Sequence, residues 1–209
     1  MKLVDNYLTQ ANQAKQHFLT YDQDKLIRKF ALNADETYIY VNFLCQPFRI
    51  HRATGYMEKQ ELGEWVDGNR FEEVMTLLDL LCDSRDDRHL SQRWKNMASF
   101  GLQFHQNLLE EKRSPMADRI HREPEAFIRA CRALDATAVE GADLGFGVEL
   151  FDGLRIGIQF WFGDDEFFPR LRYLWDENAN QYLRYETMYF AVDALQRRIE
   201  KLMNEKGAE

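Results

Sequence analysis

Cysteine is scarce in this sequence. The 209 residues include only three, Cys45, Cys82 and Cys131, which lie 37 and 49 residues apart. This spacing fits neither a dense disulfide framework nor the CxxC pairs of metal sites. Each cysteine sits beside apolar residues, so two interpretations stay open: a reactive or metal-binding thiol, and a small buried hydrophobe in a reducing cytosol. The second is favoured, because unreactive structural cysteines are commonly buried.

Long apolar runs and targeting segments are also lacking. The longest apolar stretch, residues 156–162, is much shorter than a membrane span. The N-terminal segment carries Asp5 and Gln10 where a signal peptide needs an apolar core. We therefore expect a cytoplasmic protein without a membrane partner.

Positive charge is in deficit. The chain has 27 Lys and Arg against 35 Asp and Glu, which gives a net charge of −8. Each phosphate that a protein neutralises requires a Lys or Arg, so we expect no nucleic-acid partner. The hydrophobic fraction of 45% and the aromatic fraction of 13% exclude a disordered chain. At this length we expect a single domain over 1–209, with a subdivision near 84–122 as the alternative.

Recognisable catalytic motifs are absent from the sequence. The five histidines never approach the HxxxH or HExxH spacing that places two zinc ligands on one helix face. GFGVEL contains G-x-G but lacks the third glycine and the following helix of a dinucleotide site. Neither G-x-S-x-G nor a phosphate-binding P-loop occurs. The catalytic residues, if any exist, are therefore unknown.

Two regions have the pattern of β structure, at about 36–60 and 136–175. In the first, Tyr38 and Tyr40 alternate with Ile39 and Val41, which predicts a half-buried strand that ends at Gln46-Pro47. Turns at Thr54-Gly55 and Asp152-Gly153 predict hairpins instead of regular βαβ alternation. We expect an α+β fold in which both regions join into one bent, mostly antiparallel sheet covered by helices.

Helical periodicity predicts the covering helices and one long C-terminal helix. The expected segments are about 3–19, a short helix after Asp22, 71–82, 102–109, 124–134 and 184–204. In the last, Tyr185, Met188, Val192, Leu195, Ile199 and Leu202 alternate spacings of three and four. A dimerising coiled coil and a helix docked on the sheet both have this spacing, and the flanking alanines favour the docked helix. Monomer and homodimer both stay open.

The segment FWFGDDEFFP places three carboxylates together between aromatic residues. Asp164, Asp165 and Glu166 lie in an expected connection between strands, and we expect the flanking aromatics to be at least partly buried, with Trp161 and Phe167 as supports. Desolvation and mutual repulsion then perturb the carboxyl pKa values, so the acids need a cationic partner or bind a cation. The cluster predicts a divalent-metal site, a general acid/base pair, or a solvated turn paired with arginines. Spacing alone leaves these open.

The same region resembles an uncharacterised bacterial and archaeal family, a domain of unknown function. The resemblance lies in three segments, FWFGDDEFFP, YLWD and NQYLRYE. The corresponding family motifs are W-x-G-D-x-E-F-P, L-F-D and Y-L-x-x-E-D. The shared positions are Trp161, Gly163, Asp164, Glu166, Phe167, Leu174, Asp176, Tyr182, Leu183 and Glu186. Phe168 is an extra residue, Trp175 replaces a phenylalanine, and Thr187 stands where an aspartate is usual. The likeness implies a protein of anaerobes; some members carry a cysteine-rich iron–sulfur module, whose four-cysteine spacing is missing here.

Two functional hypotheses follow. The leading one is a non-enzymatic cytoplasmic binding or accessory domain with an unknown protein or small-molecule partner. The rival is a small, metal-assisted enzyme that uses the carboxylate cluster. The candidate ligand-binding residues are Trp161, Asp164, Asp165, Glu166 and Glu186, and the candidate metal ligands are Asp164 and Glu166.

Overall fold

The computed structural model describes residues 2–100 and 114–205, with side chains from residue 6 onward. The chain divides into two compact units, Met1–His89 with Gln181–Ala191 and Leu90–Asn180 with Val192–Glu209. Each unit contains a five-stranded antiparallel sheet. The α+β class, the antiparallel pairing and the two β regions are thus confirmed, whereas the single bent sheet is corrected to two sheets. The expectation of one domain over 1–209 stays a prediction.

The first unit is a meander sheet accompanied by helices. Its elements are α1 (Lys2–Leu19), α2 (Gln23–Phe30), β1 (Asn33–Ala34), β2 (Tyr38–Phe43), β3 (Gln46–His51), β4 (Met57–Glu61), β5 (Glu64–Asp67) and α3 (Phe71–Asp83). The strands lie in chain order, β1-β2-β3-β4-β5. Alternate residues of β2, including Ile39 and Val41, are buried, as the period-two pattern predicts.

The hairpin between β2 and β3 turns at Leu44-Cys45. Both residues have positive φ, 51° and 53°, which is what a two-residue type I′ turn requires. The sequence gives no sign of this turn, because neither residue is Gly, Asn or Asp. Gln46 and Pro47, expected to break the strand, instead begin β3, where Pro47 is exposed.

The second unit has its own sheet with strand order β6-β10-β9-β8-β7. Its elements are β6 (Trp94–Asn96), α4 (Pro115–Arg122), α5 (Pro124–Ala133), β7 (Thr137–Ala138), β8 (Leu144–Phe151), β9 (Leu154–Trp161) and β10 (Arg170–Asp176). One face of β9 is apolar and buried, through Ile156, Ile158 and Phe160. The opposite, outer face carries Arg155, Gly157, Gln159 and Trp161, which alternate with them along the strand. This outer face holds the site described below.

The long C-terminal helix, α6 (Tyr185–Asn204), begins in the first unit and ends in the second. Met188, Val192, Leu195 and Ile199 are all buried within the chain. Inside the second unit, Gln196 Nε2 donates a hydrogen bond of 2.9 Å to the Tyr173 hydroxyl of β10. The apolar stripe is thus covered by the chain itself, as a docked helix requires.

Two further expectations concern helices. The helix predicted at 102–109 lies outside the described residues. Across residues 2–100 and 114–205, no helix is long and apolar enough to cross a bilayer.

The cysteines allow a direct test of the packing. Cys82 and Cys131 are buried, and desolvation raises the pKa of each thiol to about 12, so almost no reactive thiolate exists near pH 8. We expect a disulfide reagent such as DTNB to modify at most one thiol of the native protein, the half-buried Cys45, and all three after unfolding in guanidinium. A Cys45→Ser control then shows no rapid reaction. Fast modification of Cys82 or Cys131 in the folded protein contradicts the described packing.

Candidate functional site

A cavity of about 480 Å³ lies on the outer face of the second sheet, at the end where β9 begins and β10 ends. Its volume falls in the range of small-molecule sites, roughly 300–1,000 Å³. The lining comes from four separate stretches of the second unit: Leu90, Gln92, Trp94, Thr137, Ala138, Gly153, Arg155 and Asp176. Antiparallel pairing brings these stretches together, although up to 86 residues separate them in the chain (176 − 90 = 86).

Trp94, which lines this cavity, lies against two facing glycines of the sheet. Gly147 of β8 pairs directly with Gly157 of β9. A Cβ atom added at Gly157 would lie 3.2 Å from Cζ3 of Trp94, and one at Gly147 would lie 3.5 Å from Cζ2. The six-membered ring of Trp94 therefore rests against strand backbone that carries no side chain. Trp94 remains 38% exposed, so part of its indole is available to a ligand.

A buried carboxylate, Asp176, forms hydrogen bonds to the backbone segments that line the cavity. Asp176 Oδ1 accepts hydrogen bonds from the Ser91 N–H and hydroxyl, both at 3.0 Å, and from the Asn178 N–H at 2.8 Å. Its Oδ2 accepts the Gln92 N–H at 2.8 Å. Gln92 has φ 60°, a left-handed conformation that costs a residue with a side chain roughly 1–2 kcal/mol. Such strain persists where surrounding contacts dictate the backbone, and it is common beside binding sites.

The cavity also contains an arginine without a carboxylate partner. Arg155 Nη1 donates to the Thr137 hydroxyl at 2.7 Å. Glu149 faces Arg155 in the β8–β9 ladder, but its Oε1 accepts the Gly153 N–H at 3.1 Å. Among the residues that the structure describes, Arg155 forms no ion pair. The cavity thus combines an exposed indole, a guanidinium, a hydroxyl and the polar residue Gln92.

The acidic turn predicted from the sequence lies elsewhere in the second unit, in the connection from β9 to β10. Asp164, Asp165 and Glu166 are all exposed. Asp164 Oδ1 accepts the N–H groups of Glu166 and Phe167 at 2.9 and 2.8 Å, and these bonds lower its pKa. In the described part of the chain, no ion pair involves these three carboxylates, and no group of three His, Cys, Asp or Glu side chains is placed to hold a metal. Asp164 has a turn-forming role here.

The aromatic residues that flank this turn were expected to be at least partly buried, and most of them are exposed. Phe167 and Phe168 are each 69% exposed and Phe162 is 42% exposed, because the turn projects beyond the ends of β9 and β10. Trp161 is half-buried, and the guanidinium carbons of Arg170 and Arg172 lie 4.5 and 5.3 Å from its ring centroid. These arginines therefore stack on tryptophan and do not neutralise the acids.

Glu186 belongs to the first unit, where it is exposed in the first turn of α6. Trp161, Asp164, Asp165 and Glu166 lie close together only because they are neighbours in the sequence, at the end of β9 and in the connection to β10. The assignments of these five residues to ligand binding, and of Asp164 and Glu166 to a metal, stay predictions.

A polar cluster in the first unit was not anticipated. Asp79 of α3 is buried, accepts the Arg184 N–H at 3.0 Å and lies 2.9 Å from Arg184 Nε. Burial raises the pKa of Asp79, while a hydrogen bond from the buried Thr187 acts in the opposite direction. One turn on, Asp83 accepts the Tyr21 hydroxyl at 2.9 Å. The Arg184 N–H bond to Asp79 Oδ2 and the ion pair to Oδ1 tie the start of α6 to α3, although Asp79 Oδ1 has no hydrogen-bond partner within the described part of the chain.

Signals for the cavity and the cluster exist in the sequence. GFGVEL and LRIGIQF each place a glycine inside a strand, which marks a close approach of another group to the backbone. Asp79 interrupts the apolar helix VMTLLDLLC, which marks a buried and partnered carboxylate. Neither signal identifies the partner.

The fold and the cavity define an α+β protein with two antiparallel sheets and a candidate small-molecule site. The chain belongs to the family DUF3786, a domain of unknown function, whose model matches residues 22–198. No curated protein and no solved structure matches the chain. The resemblance to a family of unknown function is thereby confirmed, while the motif-by-motif correspondence stays a prediction.

The strained wall of the cavity gives a first prediction. Gln92→Gly relieves the left-handed strain, and the gain exceeds the entropic cost of glycine, so we expect the free energy of unfolding to rise by about 0.5 kcal/mol. Urea denaturation measures this change. The control is Gln13→Gly at an exposed position of α1, which should lose roughly 1 kcal/mol. Equal losses in both variants contradict the proposed strain.

The acidic turn gives a second prediction. Asp164→Ala removes the acceptor of the Glu166 and Phe167 N–H groups, so their amide hydrogen exchange accelerates, whereas Asp165→Ala leaves it unchanged. Because the folded pKa of Asp164 lies below 3.8, this protection is present above that pH and is lost as the pH falls through the folded value. NMR exchange rates and a carboxyl titration measure both effects. Unchanged exchange in Asp164→Ala shows that the turn does not depend on this carboxylate.

Proposed function

We propose that this protein is a non-enzymatic cytoplasmic binding domain whose small-molecule ligand sits in the Trp94 cavity. One observation carries the proposal. The described lining of the cavity supplies groups for recognition, an indole, a guanidinium, a hydroxyl and Gln92, and includes no Cys, His, Ser or Lys that would act as a nucleophile or base.

The two groups of the cavity that could act as a base or a nucleophile, the Asp176 carboxylate and the Thr137 hydroxyl, already form hydrogen bonds within the protein. The Asp176 carboxylate accepts four hydrogen bonds from the protein itself, which occupy both of its oxygens. The Thr137 hydroxyl accepts from Arg155 and lies 3.4 Å from the Gly147 carbonyl, with no base beside it to activate it. Binding is therefore the activity that these residues support best.

The cellular setting is part of the same proposal. Cys82 and Cys131 are buried as free thiols, which suits a reducing compartment, and the family resemblance points to the cytoplasm of an anaerobe. In this proposal the protein is an accessory domain that binds a small molecule in the cavity and senses, carries or presents it. Whether the chain acts as a monomer or a homodimer is left open by the proposal.

A thermal-shift screen tests the proposed function. The purified protein is screened against small organic molecules, small anions and divalent metals. A ligand at 100 times its Kd stabilises the native state by about 2.7 kcal/mol, which raises the melting temperature of a chain of this length by roughly 5–10 °C. We expect an organic ligand whose shift disappears in Trp94→Leu and persists in the control Trp65→Leu, a half-buried tryptophan of β5 in the first unit.

The same screen distinguishes the proposed cavity ligand from the rival hypothesis of a metal-assisted enzyme that uses the acidic turn. Stabilisation by a divalent metal that is lost in Asp164→Asn combined with Glu166→Gln supports a metal site at the acidic turn. Stabilisation by organic compounds that is equal in Trp94→Leu and in the wild type contradicts a ligand in the cavity. The melting temperature of each variant without ligand serves as its own reference.

A further inference from the structure

We infer that the ligand of the Trp94 cavity is a planar organic anion, an aromatic or heteroaromatic carboxylate. This inference rests on the proposed function and names the ligand class of the same site. It is carried by the juxtaposition of an unpaired guanidinium with an indole laid against bare strand backbone.

The free hydrogen-bond donors of the cavity favour an anion. Its lining contains two charged side chains, Arg155 and Asp176. Three N–H groups and one hydroxyl donate to Asp176 and occupy its oxygens. Arg155 has only the neutral Thr137 hydroxyl as a hydrogen-bond acceptor among the described residues. Arg155 is thus the charged group of the lining that still has free donors, because the oxygens of Asp176 are occupied and the Glu149 carboxylate, opposite Arg155 in the ladder, accepts the Gly153 N–H.

The geometry of the arginine side chain favours a carboxylate among the possible anions. A guanidinium presents its N–H groups in a planar fork that matches the two oxygens of a carboxylate. One N–H of Arg155 is committed to Thr137, and this bond fixes the orientation of the fork in the cavity. A carboxylate bound there gains charge-assisted hydrogen bonds, for which the amide of the same molecule is a poor substitute.

The shape of the cavity favours a flat molecule. The indole of Trp94 rests on Gly157 and Gly147, so its exposed part forms an aromatic platform at the sheet surface. Aromatic rings stack on such a platform in offset geometry. Leu90 and Ala138 add apolar lining. Arg155 precedes Gly157 by two residues in β9, about 7 Å along the strand, which one small aromatic carboxylate spans.

Three probes separate the contributions of charge and planarity. They are 2-naphthoate, its neutral amide 2-naphthamide, and cyclohexanecarboxylate, which keeps the charge and lacks the flat ring. Binding is followed by NMR at the indole N–H signal of Trp94, assigned by its loss in Trp94→Phe. We expect 2-naphthoate to bind at least about tenfold more tightly than either other probe.

Variants assign the interaction to individual residues. We expect Arg155→Gln to weaken 2-naphthoate about tenfold while changing 2-naphthamide less than about twofold. Trp94→Leu should weaken both naphthyl probes, with binding followed by calorimetry because its indole signal is gone. Arg170→Gln, on the same sheet face beside Trp161, is the matched control and should leave all three affinities unchanged.

The outcomes distinguish this inference from the proposed function. Equal binding of 2-naphthoate and 2-naphthamide, tighter binding of cyclohexanecarboxylate, or an unaffected Arg155→Gln overturns the planar anion. If a neutral, cationic or sugar-acid compound from the screen shifts the Trp94 signal and 2-naphthoate does not, the inference fails and the cavity remains the binding site. If no compound shifts that signal, both fail.

Discussion

Asp176 gathers three backbone N–H groups and one hydroxyl around a single buried carboxylate, and the outer face of the second unit is organised around it. The bonds to Ser91 and Gln92 shape the chain just before β6, and Asp176 pairs with Trp94 in the β10–β6 ladder. The carboxylate therefore fixes both the strained turn at Gln92 and the point at which Trp94 enters the sheet. Charge-assisted hydrogen bonds of this kind contribute about 1.5–3 kcal/mol each, which offsets the cost of burying the charge.

The elements that the sequence predicts well are those that depend on local pattern. The period of two in Tyr38–Phe43 and the period of 3.6 in Phe71–Asp83 and Tyr185–Asn204 each identify an element close to its observed bounds. Pairing is different, because alternation shows that a segment is a strand without showing which strand lies beside it. Hence the two β regions were expected in one sheet and form two. The turn at Leu44-Cys45 was missed because its conformation is dictated by the strands on either side.

The candidate site was predicted less well than the fold. Asp164, Asp165 and Glu166 are conspicuous because they are adjacent in sequence, yet Asp164 is accounted for by two backbone N–H groups. The cavity residues are inconspicuous because they fall in four short segments that lie far apart in the sequence, and only the registers of β6 to β10 bring them together. Asp176 is an intermediate case: the family resemblance marks it as shared, and the structure gives the physical reason, since no other side chain of that length offers two anionic acceptors there.

The contact of Trp94 with Gly147 and Gly157 has an evolutionary consequence under the proposed function. Trp94 rests on main chain, and the buried residues of β9 lie on the opposite face of the strand. The rim residues Gln92, Thr137 and Arg155 are consequently not part of the hydrophobic core. Ligand preference is thus able to diverge among descendants of this protein by substitutions at the rim alone, while selection for stability acts on a separate set of positions.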